Sequence, residues 1–184
     1  MTVEHRTSSE LSATGKVVLG MLAFGKHTGY EIKQFVDKST RHFWAASYGQ
    51  IYPELRRFTV QGLVRSRSEP SGRRARTVFE LTEDGERLLT SWLESTEAPL
   101  IELRHEGMLK LFFSDAGTAA KLDHVRAIRA GHERKLEALL AVEPQARQAP
   151  DSGPYLTLSL GLRFNQCIVD WCLATERRLA GEEG

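Results

Sequence analysis

Apolar residues recur at helical spacing along most of this chain, with one interruption where the period falls to two. Val17, Val18, Leu19, Met21 and Leu22 predict a mostly buried helix over about residues 11–22, followed by a turn at Phe24-Gly25-Lys26-His27. Thr28 and Glu31 form a capping box that opens a second helix, which runs through about Lys38 with Ile32, Phe35 and Val36 on its apolar side. Ser47 and Gln50 repeat that signature after a connecting stretch. Ile51, Leu55 and Phe58 then recur at helical spacing, with Arg56 and Arg57 between them. Pro53 is awkward in this third helix, since proline removes a hydrogen bond beyond the first turn, so the helix is expected either to start late or to begin with a loosened turn. Gly62 supplies the left-handed cap that stops it. Two strand-like runs follow, residues 63–68 and 74–81, separated by a turn at Glu69-Pro70-Ser71-Gly72-Arg73.

Thr82 caps the next helix, with Glu83 and Asp84 where the helix dipole favours acids, and Leu88, Leu89, Trp92 and Leu93 carry it to about Glu94. Pro99 marks a break. Beyond it the pattern is helical throughout: about residues 100–113, then about 118–142, then a linker PQARQAPDSGP, then about 155–179. Apolar residues cover more than one face of these helices, which therefore need partners, and a homodimer is the expected solution. The reading is thus of a mainly α chain with a flexible tail over residues 1–12, a domain of three helices, a hairpin and a linker helix over 13–95, and a helical dimerisation domain over 96–180.

Net charge, at +1, says nothing about partners, but its distribution does. Residues 1–80 hold 13 Lys and Arg against 7 Asp and Glu, whereas residues 81–184 hold 12 against 17. A basic first half suits a polyanion and an acidic second half repels one. The field peaks on the hairpin, where Arg65, Arg67, Arg73, Arg74 and Arg76 stand against the single Glu69. Helix, helix, basic hairpin in that order is the logic of a helix-turn-helix followed by a wing, an arrangement that binds double-stranded DNA.

Candidate contacts follow from position. Tyr30 stands at the start of the second helix, where amide donors and a phenol suit a phosphate. Gln50 lies in the first turn of the third helix, the part that reaches base edges, and its amide suits adenine. Ser47, Tyr48, Tyr52 and Arg56 flank the same surface, and Arg73 and Arg74 occupy the wing tip, suited to phosphate or minor groove. In the helical half, Trp92, Met108, Phe112, Phe164 and Trp171 are candidates for lining a pocket, although such a stripe is equally what a core looks like.

From about residue 16 to 180 the chain resembles the PadR family of bacterial transcriptional regulators. The residues that carry the resemblance are Gly29-Tyr30-Glu31-Ile32, the run SYGQIYPEL from Ser47 to Leu55, Gly62-Leu63-Val64, the arginine-rich wing, and Phe79-Glu80-Leu81-Thr82 with Gly85. The stretch APLIELRHEGMLKLFF and the surroundings of Trp171 look like the first and last parts of the longer C-terminal helical domain of one branch of that family. The resemblance implies a homodimeric repressor, bound to an inverted-repeat operator and released by a small aromatic or amphipathic effector. A transcriptional activator, or a winged-helix scaffold whose helical tail holds a protein partner, stand as the alternatives.

Enzymatic classes find little support. The six histidines form no HExxH and no spaced set with cysteine, no glycine-rich phosphate loop follows a strand, and Gly-x-Ser-x-Gly is absent, so neither catalysis nor a metal or other cofactor is expected. His105-Glu106 reads as a solvated or interface pair on an amphipathic helix. No run approaches the roughly 18 apolar residues of a membrane span, and the N-terminus lacks the apolar region of a secretory signal. Cys167 and Cys172, about 140° apart around a helix, read as two reduced, partly buried thiols, and together these features predict a cytoplasmic protein.

Overall fold

The computed structural model describes residues 11–71, 74–96, 105–115 and 117–181, in two compact units divided between Pro99 and Leu100. Of the expected tail over residues 1–12, residues 1–10 lie outside the described residues, as do residues 97–104, with the break at Pro99, and Arg73. Leu11 is buried and Ser12 caps the first helix, so the domain begins earlier than expected.

The first unit holds α1 (Ala13–Ala23), α2 (Gly29–Lys38), a short 3-10 turn (Thr40–His42), α3 (Tyr48–Val60), β1 (Val64–Ser71), β2 (Arg74–Leu81) and α4 (Glu83–Glu94). Each helix begins where a side chain satisfies its orphan amides. Ser12 accepts from the Gly15 amide at 2.9 Å, and Thr28 from Glu31 at 3.1 Å while Glu31 accepts from Thr28 and His27 in return. Gly25 and Gly62, at φ +72 and +73, turn the chain after α1 and α3 in a conformation few other residues tolerate. Val18, Leu19, Ile32, Val36, Ile51, Leu55 and Phe58 have no exposed surface, so the three helices close on one dry core, to which Phe79, Leu88 and Leu89 add.

β1 and β2 pair antiparallel from Val64↔Leu81 to Ser71↔Arg74, which leaves only Gly72 and Arg73 to connect them. The expected five-residue turn is therefore shorter: Glu69, Pro70 and Ser71 belong to β1. Glu69 and Arg76 hold this extension by pairing across the strands at 3.0 Å, and Pro70 is tolerated because each strand of a two-stranded sheet keeps one unpaired edge. The base of the wing is tied to the turn before α2, where the Phe79 amide donates to His27 O at 2.7 Å and His27 Nδ1 lies 3.2 Å from Phe79 O.

Pro53 lies within α3, five residues after its first, and the helix neither starts late nor breaks. The carbonyl that loses its partner belongs to the exposed Gly49, four residues earlier, where it stays open to solvent rather than buried.

The second unit holds α5 (Glu106–Phe112), α6 (Thr118–Ala146) and α7 (Gly153–Ala180). α6 runs past the expected end at Val142 and carries Pro144 in its last turn, where Glu143 and Arg147 pair at 2.6 Å. α7 starts two residues early, because Ser152 caps it and Pro154 sits in the first turn, and Gly181 at φ +78 ends it. Val125, Ile128 and Cys172 form the centre of this core, and Arg129 grips Glu176 across α6 and α7 at 2.7 Å. Of the two cysteines, Cys172 is buried, with a thiol pushed up by that burial, but Cys167 is exposed on the opposite side of α7. No helix among the described residues is long and apolar enough to cross a membrane, and none of their His, Cys, Asp and Glu side chains gather in a group of three or more that could hold a metal ion.

Candidate nucleic-acid interface

The exposed side of α3 follows from its buried side. With Ile51, Leu55 and Phe58 inward, Tyr48, Gln50, Tyr52 and Arg56 are left on the surface. The Tyr48 and Tyr52 rings stack with centroids 6.3 Å apart, and both are about two-fifths exposed. Tyr52 also lies against the start of α2. A Cβ on Gly29 would meet its ring at 2.7 Å, so the bare glycine leaves the room that ring occupies. Tyr30 is more than half exposed, and its hydroxyl accepts from Gln34 Nε2 at 2.7 Å, which keeps its own proton free to donate. Tyr30, Tyr48, Tyr52 and Arg56 thus share one face built by α2 and α3.

Ser47 and Gln50 are tied together. The Ser47 amide and hydroxyl both donate to Gln50 Oε1 at 3.0 Å. A backbone donor fixes which end of the amide is oxygen, and Nε2 therefore points away as a donor. In this local geometry Gln50 can give a hydrogen bond but cannot make the two-way contact that adenine takes.

The two adjacent arginines of α3 part company. Arg57 is bound to Glu54 through two bonds of 2.9 and 2.6 Å, and its guanidinium lies 4.7 Å from the Phe58 ring centre, while Glu54 also accepts from Ser12 at 2.8 Å. Arg56 is exposed and makes no ion pair among the described residues, so its charge is available. Lys33, not singled out from the sequence, lies 5.8 Å from the Tyr48 ring centre and pairs with Asp37, whose carboxyl Lys33 and Arg41 hold below the ordinary range. Trp44, also missed, is 44% exposed at the approach to α3. Trp44 lies in a connection outside any periodic segment, and Lys33, although on α2, is polar and gave no apolar spacing signal.

On the wing, the strand arginines are less free than their number suggested. Glu80 stands opposite Arg65 in the register and pairs with it at 3.2 Å and with Arg67 at 3.1 Å, and Glu69 takes Arg67 at 2.9 Å. Two carboxylates thus answer three strand arginines, not the one expected. Arg74 is described only as the strand partner of Ser71.

Of the five residues proposed for a pocket, Trp92 lies in the first unit and the other four in the second. Trp92 packs on the first unit's core under the Lys16 ammonium, 5.6 Å from its ring centre. Met108 packs on the core of the second unit, whereas Phe112, Phe164 and Trp171 are exposed. Leu109, Phe113, Leu156 and Leu160 are exposed as well.

His105 proves to be neither solvated nor merely a surface neighbour of Glu106. Its Nδ1 accepts from the Met108 amide at 3.2 Å, capping α5, and its Nε2 lies 3.1 Å from Nε2 of the buried His132. Glu106 is exposed and pairs with Lys110 at 2.7 Å.

Residues 18–91 match the Transcriptional regulator PadR-like family, and residues 103–180 match the Virulence activator alpha C-term family. The chain is 30% identical over 164 residues to the Negative transcriptional regulator PadR of Bacillus subtilis, covering 84% of this chain and 90% of that protein. Its fold is similar to the crystal structure of Bacillus subtilis PadR in complex with operator DNA, with a TM-score of 0.83 and 26% identity across 91% of this chain and 99% of that one. The same regulator in complex with p-coumaric acid superposes with a TM-score of 0.74 at 24% identity, over 93% and 97% of the two chains. By these matches the chain belongs to the PadR-like family of transcriptional regulators.

Proposed function

We propose that this chain is a cytoplasmic, homodimeric repressor that grips an inverted-repeat operator and is released by a small organic effector, with no enzymatic activity of its own. The observation that carries the reading is the α2–α3 face. Tyr30, Tyr48, Tyr52 and Arg56, the last with no ion pair among the described residues, stand exposed on it, and Gln50 is exposed in the first turn of α3, while Ile51, Leu55 and Phe58 are buried. Such a helix, entering the major groove by its first turns, reads bases with Gln50 and Arg56 while Tyr30, Ser47, Tyr48 and Tyr52 position the backbone. Arg73 and Arg74 at the wing tip take phosphate or minor groove. Residues 13–95 serve as the DNA-binding domain and residues 96–180 as the dimerisation and effector domain. The exposed Phe112, Phe113, Leu156 and Leu160 supply the apolar surface for a second copy, and a two-fold dimer sets its recognition helices one DNA turn, about 34 Å, apart. The relatives support this reading, one by its name as a negative regulator and by crystals with operator DNA and with p-coumaric acid.

A second reading, activation, draws on the match of residues 103–180 to a domain named for a virulence activator. Light scattering, fluorescence anisotropy on the upstream region of its own gene, and in vitro transcription from that promoter separate the cases. A dimer that binds and silences supports repression, and one that binds and stimulates supports activation. A chain that ignores DNA leaves a scaffold for a protein partner.

A further inference from the structure

Gln50 is exposed in the first turn of α3, the part of a recognition helix that reaches base edges. Its amide carries an oxygen with two lone pairs and a nitrogen with two protons. The Ser47 amide and the Ser47 hydroxyl both donate to Oε1 at 3.0 Å, so both lone pairs of that oxygen are occupied. What remains to face a ligand is Nε2, a pure donor.

The carboxylate of α3 is withdrawn in the same way. Glu54 Oε2 accepts from Arg57 at 2.9 and 2.6 Å, and Glu54 Oε1 accepts from the Ser12 hydroxyl at 2.8 Å. No acid stands in the first turn of the helix. Arg56, exposed and with no ion pair among the described residues, can only donate. Gln50 and Arg56 thus offer donors, while the amide oxygen and the carboxylate of α3 are taken up within the protein.

Bases differ in what they return to a donor. In the major groove guanine shows two acceptors, O6 and N7, and thymine shows O4. Adenine sets an amino donor beside N7, and cytosine shows an amino donor alone. An amide free at both ends takes adenine in a two-way contact. One whose oxygen is occupied gains nothing from the adenine amino group and meets cytosine donor against donor.

We infer that the Ser47 hydroxyl sets the base preference of Gln50, restricting it to guanine and thymine and turning away cytosine. Ser47 acts here as a positioning residue. Its backbone amide fills one lone pair of Oε1 whatever side chain stands at 47, but the second lone pair is closed by the hydroxyl alone. The inference rests on the proposal that α3 enters the major groove, and it goes further by naming the edge that one residue reads.

The test is selection of binding sites from a randomised duplex library by the full chain, for wild type, Gln50→Ala, Ser47→Ala and Ser47→Thr. Gln50→Ala is expected to flatten one position in each half-site. Wild type favours guanine or thymine over cytosine at that position by about tenfold, one hydrogen bond against two facing donors. Ser47→Ala is expected to admit adenine there while other positions keep their preference. Ser47→Thr, which restores a hydroxyl, returns the wild-type pattern. A merely structural role for the cap would weaken all sequences alike.

A second measurement needs no variant. Anisotropy with wild-type protein compares a site carrying adenine at that position with one carrying unsubstituted purine, which lacks only the 6-amino group. Equal or tighter binding of the purine site supports a donor-only Gln50, and a loss of about tenfold, the mark of a two-way contact, overturns it. Adenine or cytosine favoured there by wild type, no position flattened in Gln50→Ala, or an unchanged pattern in Ser47→Ala also overturns the inference. A wild-type selection that enriches no sequence is a different result: it rejects the operator reading itself, and this inference with it.

Discussion

His132 Nδ1 lies 2.8 Å from Asn165 Oδ1 in the interior between α6 and α7, and this one bond fixes every proton along a chain of five groups. Asn165 donates its Nδ2 to Gly161 O at 2.7 Å, so its oxygen faces His132 and His132 carries its proton on Nδ1. A neutral His132 then accepts at Nε2 from His105, whose Nδ1 is left to accept from the Met108 amide. Both rings are neutral in this arrangement. Burial, above all, and the nearby Lys135 charge hold His132 below its ordinary value, with the Asn165 bond opposing them. The unfolded chain therefore takes up a proton as pH falls through about 6.5 while the folded one does not, and stability is lost on acidification. Thermal unfolding should show the second unit weakening between about pH 7 and pH 5, and His132→Gln should flatten that slope. An unchanged slope in the variant removes His132 as the cause.

Arg56→Ala and Arg57→Ala should fail in different assays. Arg56 has no ion-pair partner among the described residues, so its removal should leave the melting temperature alone and weaken operator binding by about 1–3 kcal/mol if it reads a base. Arg57 loses Glu54 and the Phe58 ring, which lowers stability by about 1 kcal/mol and leaves sequence preference intact. Equal effects of the two on DNA would contradict the geometry.

Salt dependence should separate the wing tip from the wing strands. Arg73→Ala with Arg74→Ala removes two phosphate contacts per protomer, and each contact contributes about 0.9 to the salt slope, so a dimer loses about 3.6. Arg65→Ala changes the slope far less, because Glu80 already neutralises it. Anisotropy titrations from low to high salt measure both.

Gly85→Ala tests the joint between the wing and α4. A Cβ at 85 would stand 2.1 Å from the Leu63 carbonyl oxygen, which already accepts from the Thr82 amide at 3.1 Å. Backbone cannot give way there, so the first unit should lose about 1–3 kcal/mol or fail to accumulate. A wild-type melting profile would show that the joint is looser than drawn.

Most of the first unit was legible in the sequence because its signals are local. Thr28, Ser47 and Thr82 cap helices where expected and Gly62 supplies the turn, whereas Ser12, which fell in the expected tail, caps α1. Errors arose where a tertiary partner decides. The Glu69–Arg76 pair extends β1 through three residues that read as turn, and an exposed glycine upstream lets α3 keep Pro53. The face of α3 followed from periodicity, whereas Lys33 and Trp44 entered it from a second helix and a connection. In the second unit, periodicity marked helices but not which of their faces meet. His105 and His132, 27 residues apart, carry no common local signature, and their contact was invisible until α5 lay on α6.

The wing's register also limits how this architecture can vary in length. Its strands pair residue for residue from Val64↔Leu81 to Ser71↔Arg74, with two residues at the tip. Deleting one residue from either strand shifts every later side chain to the opposite face, sending Phe79 out of the core or uncoupling Glu80 from Arg65. Removing one residue from each strand at matched positions spares the base and draws the tip inward by about 3.3 Å. Relatives that reach to a different depth along DNA should therefore differ by even numbers of residues between the positions equivalent to Val64 and Leu81, a parity rule that counting alone can check.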